Sequence, residues 1–99
     1  MPFDPPSELI AHFGKHGHKV GAATKEDYEK MAEFFMGGPV PEGVDECIRP
    51  GSRRRCRYNS KTEEYGVARP SGIIVTYFIL DYNTHEYASN REYFTEECL

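Results

Sequence analysis

Residues 64–80 read EYGVARPSGIIVTYFIL and contain two runs rich in β-branched and aromatic residues, which predict strands over residues 64–68 and 73–80. Between the runs lie Arg69, Pro70, Ser71 and Gly72, and this composition is typical of a turn. We therefore predict an antiparallel hairpin in the C-terminal half of the chain.

Two more strands are predicted upstream of this hairpin, over residues 46–49 and 54–58. The turns that separate them, residues 50–52 and 59–62, are rich in proline, glycine, asparagine and serine. Four short strands in succession predict an antiparallel β-meander. After the last strand, Ser89 and Asn90 are placed to cap a short terminal turn of helix.

The N-terminal third predicts two helices instead. Ser7 is the expected N-cap of the first helix and Gly17 its expected end, which places Lys15 and His16 in the last turn, where the helix dipole favours cations. Thr24 is the expected N-cap of the second helix, which ends at Gly37.

Helices followed by strands predict a single α+β domain over residues 1–99, in which residues 1–6 form an extended lead-in. The two helices would pack on one face of the four-stranded sheet. We expect the opposite face to be free, and a long ligand would lie there.

The composition argues against a membrane protein. The longest apolar run, residues 73–80, is far short of the roughly 20 residues that span a bilayer, and residues 1–6 do not resemble a signal peptide. The three cysteines (Cys47, Cys56 and Cys98) are an odd number without a Cys-x-x-Cys pair, so we expect reduced, buried thiols. A cross-hairpin pair of Cys47 and Cys56 is the alternative.

The net charge of −4 averages over an uneven distribution of charge. Between residues 49 and 62 there are six basic residues and no acidic one. Because side chains alternate along a strand, Arg53, Arg55 and Arg57 would share one face and form a basic stripe suited to a polyanion such as an RNA backbone. A solvated edge strand that uses charge to resist aggregation is an equally good interpretation.

Histidines and lysines crowd the segment from residue 12 to residue 19. His12 and His16 are one helical turn apart, and Lys15 and Lys19 bring positive charge. When the 2′-OH of an RNA attacks the adjacent phosphate, the reaction needs a base, an acid and fixed positive charge, and these side chains can supply all three. A zinc site or ordinary surface histidines are the alternatives, but no third zinc ligand is evident.

On the last strand, Thr76 interrupts an apolar face that also carries Phe78. A hydroxyl next to an aromatic ring could bind phosphate while the ring stacks on a base. From the residues alone, Thr76 is more simply explained as a good strand former.

Several motifs together resemble a known family. They are the run His12-Phe13-Gly14-Lys15-His16-Gly17, then Gly21, Thr24 and Tyr28, the run from Arg57 to Val67, and Gly72 with Thr76-Tyr77-Phe78. This order is similar to the C-terminal RNase toxin domains of bacterial polymorphic and contact-dependent toxin systems, of the barnase, colicin D and RelE-like class. The resemblance spans residues 9–94.

The resemblance implies a barnase-like fold and a metal-independent ribonuclease that needs no cofactor. The family's Lys-His pair falls on Lys15 and His16, and its strand hydroxyl falls on Thr76. The expected catalytic set is therefore His16, Lys15 and Thr76, with His12 as a second proton carrier. The expected substrate-binding residues are Arg53, Arg55, Arg57, Tyr58 and Phe78.

The resemblance also implies a biological setting. The substrate would be tRNA or another structured RNA rather than DNA, and the product a 2′,3′-cyclic phosphate. A cognate immunity protein would be the partner, and a secreted bacterial carrier would deliver the domain to the cytoplasm of a target cell. One departure is Ile79, where relatives often carry a lysine, and it motivates the alternative of a nonenzymatic RNA- or protein-binding module on the same fold.

Overall fold

A computed structural model describes residues 2–99 and has the predicted α+β architecture. Two helices are followed by a four-stranded sheet, a single 3₁₀ turn and a third helix. In chain order these are α1 (Pro6–Val20), α2 (Lys25–Met36), β1 (Val44–Ile48), β2 (Arg55–Asn59), β3 (Glu64–Ala68), β4 (Ile74–Ile79), the turn Tyr82–Thr84 and α3 (Asn90–Glu97).

The sheet is the predicted antiparallel meander, with strand order β1-β2-β3-β4. Strand β3 has the predicted bounds, and the other strands differ from prediction by one or two residues at each end. Strands β1 and β4 form the edges of the sheet, and α1 packs mainly against β4.

The first helix differs from its prediction at both ends. It begins at Pro6, with Pro5 rather than Ser7 at the N-cap, and it continues through Gly17 to Val20. Gly17 is buried beneath Phe13, and a Cβ at this position would overlap the phenyl ring. The glycine therefore allows close packing within the helix, and the left-handed residue that ends the helix is Gly21 (φ 85°). Consequently Lys15 and His16 lie one turn before the helix end.

The second helix begins as predicted. The Thr24 hydroxyl accepts a hydrogen bond from the backbone N–H of Asp27 at 3.1 Å, and Gly37 follows the last helical residue. Gly66 on β3 lets this helix approach the sheet, because a Cβ there would overlap Met36 and crowd Phe35. Helices α1 and α2 thus cover one face of the sheet. The core beneath them contains Phe3, Leu9, Tyr28, Ala32, Phe35, Met36, Ala68, Ile74 and Tyr77.

The opposite face of the sheet is not free, which corrects the sequence-based expectation. Helix α3 packs on it, and Phe94 stacks on Tyr58 with ring centroids 5.5 Å apart. Apolar side chains on this face and on α3 are buried together in a second core: Cys56, Tyr58, Tyr65, Val67, Leu80, Phe94 and Cys98. The terminal segment had been predicted only as a short turn of helix, and its aromatic residues provide the apolar surface that covers the sheet.

The cysteines also differ from expectation. Cys47 on β1 and Cys98 after α3 form a disulfide that closes 51 residues of chain, so the prediction of three reduced thiols is wrong for this pair. Cys56 is a buried free thiol, as predicted. It lies directly across the sheet from Cys47, but Cys47 pairs with Cys98 because α3 brings that residue to the same face.

Candidate functional site

The predicted catalytic histidine lies against the edge of the sheet. His16 projects from α1 and stacks on Phe78 of β4, with ring centroids 5.0 Å apart and 24° between the planes. Phe78 also packs edge-on against Tyr65 at 5.5 Å, so the second core holds the ring that supports the imidazole. His12 projects from the preceding turn of α1, with its ring centroid 5.8 Å from that of His16. The structure therefore brings His12, His16 and Phe78 together.

The surroundings of His16 favour the neutral imidazole. Burial, and after it the nearby positive charges of His12, Lys15 and Lys19, together lower its pKa from the ordinary value of 6.5 to about 4. A neutral imidazole at pH 7 can accept a proton, which a protonated one cannot. At pH 7 the imidazole is therefore in the unprotonated form that a general base needs.

His12 is in a different position. Burial lowers its pKa, and the neighbouring carboxylate of Glu8 opposes this effect, with 3.5 Å between Glu8 Oε2 and His12 Nε2. The other ring nitrogen, Nδ1, is buried and has no hydrogen-bond partner within residues 2–99. A small hollow of about 150 Å³ opens beside this histidine, and Glu8, Ala11 and Lys15 line the rest of it.

Two lysines lie on the same helix as the histidine pair. Lys15 is exposed at the rim of this hollow. Lys19, one turn further along α1 from Lys15, forms an ion pair with Asp81 just after β4, with 3.4 Å between Nζ and Oδ2. Sequence reasoning missed Asp81 and the pairing of Glu8 with His12; the i, i+4 spacing of Glu8 and His12 is the signal that could have indicated the latter.

Thr76 lies on the same strand as Phe78. It pairs with Val67 of β3, and Val67 belongs to the core under α3, so Thr76 and Phe78 share the α3 face of the sheet. Its side chain is half-buried. Thr76 and Phe78 are two residues apart along the strand, a distance of about 7 Å. On this face, the Thr76 side chain is therefore next to the ring on which His16 stacks.

The arginines do not form an exposed stripe. Arg57 is 2% exposed and lies on the helix face of the sheet, where its Nε donates to Glu46 Oε2 at 2.7 Å. Its two terminal nitrogens donate to backbone carbonyls at the end of α2, including those of Phe35 and Gly38 at 3.1 and 2.8 Å. The donors of this guanidinium, which the sequence analysis predicts to bind an RNA backbone, are therefore used by hydrogen bonds within the protein.

The other proposed substrate-binding residues are also distributed differently from the prediction. Arg53 is exposed in the turn before β2 with φ 59°, so it does not follow the strand alternation. Tyr58 is buried against Phe94, and its hydroxyl donates to Glu63. Arg55 lines a separate cavity that shares no residue with the hollow beside His12. Only Phe78 of this set lies against the histidines.

Within the part of the chain that the structure describes, no cluster of three or more His, Cys, Asp or Glu side chains is arranged to hold a metal ion. None of the helices in residues 2–99 combines the length and the apolar composition of a bilayer-spanning segment. Comparisons with protein-family models, curated proteins and solved structures found no match for this chain.

Proposed function

We propose that this chain is a metal-independent endoribonuclease that cleaves tRNA or another structured RNA. The observation that carries the proposal is the imidazole of His16, whose pKa of about 4 keeps it neutral at pH 7 while it stacks on Phe78 beside Lys15 and His12. Such a site offers a base, a second imidazole and a cation without any bound ion.

In the proposed reaction, neutral His16 takes the proton from a ribose 2′-OH. The 2′ oxygen attacks the adjacent phosphorus, the bond from phosphorus to the 5′ oxygen breaks, and a protonated group returns a proton to that leaving oxygen. His12 is the proposed acid, and anionic substrate would favour its protonated form. Lys15 stabilises the charge on the phosphorus centre, and the hydroxyl of Thr76 orients the phosphate. The products carry a 2′,3′-cyclic phosphate and a 5′-hydroxyl.

The resemblance to bacterial RNase toxin domains supports the same proposal and extends it. As a toxin tip, the domain would reach the target-cell cytoplasm on a secreted carrier, and an immunity protein would bind it in the producing cell. Pull-down with the product of the neighbouring open reading frame in the native operon tests that part: a stable complex that blocks RNA cleavage supports it, and no binding contradicts it.

Purified protein incubated with total tRNA in EDTA tests the activity. We expect discrete fragments ending in a cyclic phosphate, and His16→Ala should lower the rate at least about 100-fold, as expected for loss of a general base. His18→Ala is the matched control, since His18 is exposed on the same helix. Absence of cleavage between about pH 5 and pH 9, or full activity of His16→Ala, would reject the proposal.

A nonenzymatic RNA- or protein-binding module is the second candidate. It is favoured by Ile79, which stands where similar toxins often carry a lysine, and by the internal bonding of Arg57, which removes a cation from the surface. Both features lower the positive charge available to a phosphate. Retention of tRNA on immobilised protein without any cleavage would favour this candidate over the enzyme.

A further inference from the structure

A second cavity has a volume of about 530 Å³ and shares no lining residue with the hollow beside His12. Its size is within the range of small-ligand sites. It opens where the end of α2, the start of β2 and the turn before β4 meet. Its lining combines a cation, a carboxylate, a hydroxyl, glycine backbone and apolar side chains, among them Arg55, Glu33, Ser71, Gly37, Met36 and Ile73.

Arg55 supplies the first indication that this cavity takes a ligand. One terminal nitrogen of its guanidinium donates to the carbonyl of Met36 at 3.3 Å. Its Nε is buried and finds no acceptor anywhere in residues 2–99. Buried donors are almost always satisfied, so this N–H calls for an acceptor brought by water or by a ligand.

The charge around Arg55 indicates what kind of acceptor fits. Glu33 lines the same cavity without forming an ion pair with Arg55 in the described part of the chain, and the C-terminal end of α2 adds partial negative charge. The cavity therefore carries no net positive charge to attract a free phosphate. A neutral ligand that offers an acceptor to Arg55 and a donor to Glu33 matches it better.

We infer that this cavity binds an unpaired nucleobase of the RNA, an inference that rests on the proposed ribonuclease function. The Watson–Crick edge of a base presents an acceptor beside a donor, and its faces are apolar enough to lie against Met36, Ile73 and Ile74. In a duplex that edge is occupied by the partner base. The substrate must therefore be single-stranded at this position, as in the loop of a structured RNA.

This base site is distinct from the cleavage site. Ile74 lines the cavity and Phe78 supports His16, and the two residues are four apart on β4, about 13 Å along the strand. The bound base therefore belongs to a nucleotide other than the one whose phosphate is cleaved, and the site would choose the substrate without taking part in the chemistry.

NMR titration of the ¹⁵N-labelled full chain with uridine tests the inference without relying on cleavage. We expect shifts at Arg55 Nε–H and at the amides of Gly37 and Gly38. N3-methyluridine, which lacks the ring N–H donor, should bind at least about tenfold more weakly. Glu33→Gln should weaken uridine binding by a similar factor, while Glu26→Gln, the same change on α2 outside the cavity, should not.

The outcomes separate this inference from the proposed function. Uridine binding by a protein that fails to cleave RNA supports the base site and rejects only the enzyme. Cleavage by a protein whose cavity resonances do not respond to uridine overturns only the base site. Equal shifts with inorganic phosphate and uridine, or equal binding of uridine and N3-methyluridine, would also overturn it.

Discussion

Replacing Arg57 by methionine should strongly destabilise the domain. Arg57 is 2% exposed, bonds Glu46 and holds backbone carbonyls at the end of α2, so it joins this helix to the sheet. Methionine keeps an apolar side chain at this position but leaves the carbonyls without their donor and Glu46, 26% exposed, without its counter-charge. Breaking a buried pair of this kind costs about 3 to 5 kcal/mol.

For a domain of this size, each kcal/mol lowers Tm by about 4 to 8 °C, so the variant should melt at least about 12 °C below the parent protein. Urea unfolding at pH 7 gives the free energy directly. Arg69→Met, a loss of the same charge at an exposed turn position, should change it by less than about 0.5 kcal/mol.

A double-mutant cycle with Glu46→Met identifies the cause. Removing both partners leaves no unpaired charge, so the double variant should be more stable than the sum of the single effects predicts, by at least about 1 kcal/mol. A loss below about 1 kcal/mol for Arg57→Met, or strict additivity in the cycle, would refute the structural role assigned to this arginine.

Three further predictions concern stability. Reduction of the Cys47–Cys98 disulfide should lower the free energy of unfolding by about 4 kcal/mol, because the disulfide closes a loop of 51 residues in the unfolded chain. Reductant should not destabilise the Cys98→Ser variant any further. Equal urea midpoints of the parent protein with and without reductant would contradict this prediction. Gly17→Ala should lower the free energy of unfolding by about 1 to 3 kcal/mol, because the added methyl group displaces the Phe13 ring. Helix propensity alone predicts the opposite, so a stabilised Gly17→Ala variant would contradict this prediction. The pKa of His16 is about 4 in the folded state and 6.5 in the unfolded state, so the stability that neutral His16 contributes is fully present above pH 6.5 and is lost as pH falls toward 4. After allowance for solvent access, the free energy of unfolding should fall by about 1 to 2 kcal/mol over this range. A His16→Gln variant with the same pH dependence of stability as the parent protein would disprove this prediction.

The elements that local chemistry determines could be predicted from the sequence. The Thr24 cap and strand β3 were predicted correctly because a hydroxyl before a helical repeat, and a β-branched and aromatic run between turns, act within a few residues. The i, i+4 spacing of His12 and His16 likewise placed the two imidazoles together.

The features that sequence reasoning missed depend on distant contacts. A glycine at position 17 is typical of a helix end, and only the packing of Phe13 over it shows why the helix continues. Alternation along β2 cannot indicate that Arg57 faces the end of α2, and cysteine spacing cannot indicate that α3 returns Cys98 to β1. Arg55 was predicted to bind the RNA backbone, and only the structure shows the cavity it shares with Glu33.

The acid limb of kcat/KM for RNA cleavage tests whether His16 is the general base, because this limb reports the pKa of the base in the free enzyme. We expect no acid-side fall in kcat/KM between pH 7 and about pH 5 and a fall near pH 4, and we expect the His16 imidazole to titrate near pH 4 by NMR. A limb near the ordinary histidine value of 6.5, or one that persists unchanged in His16→Ala, would contradict it.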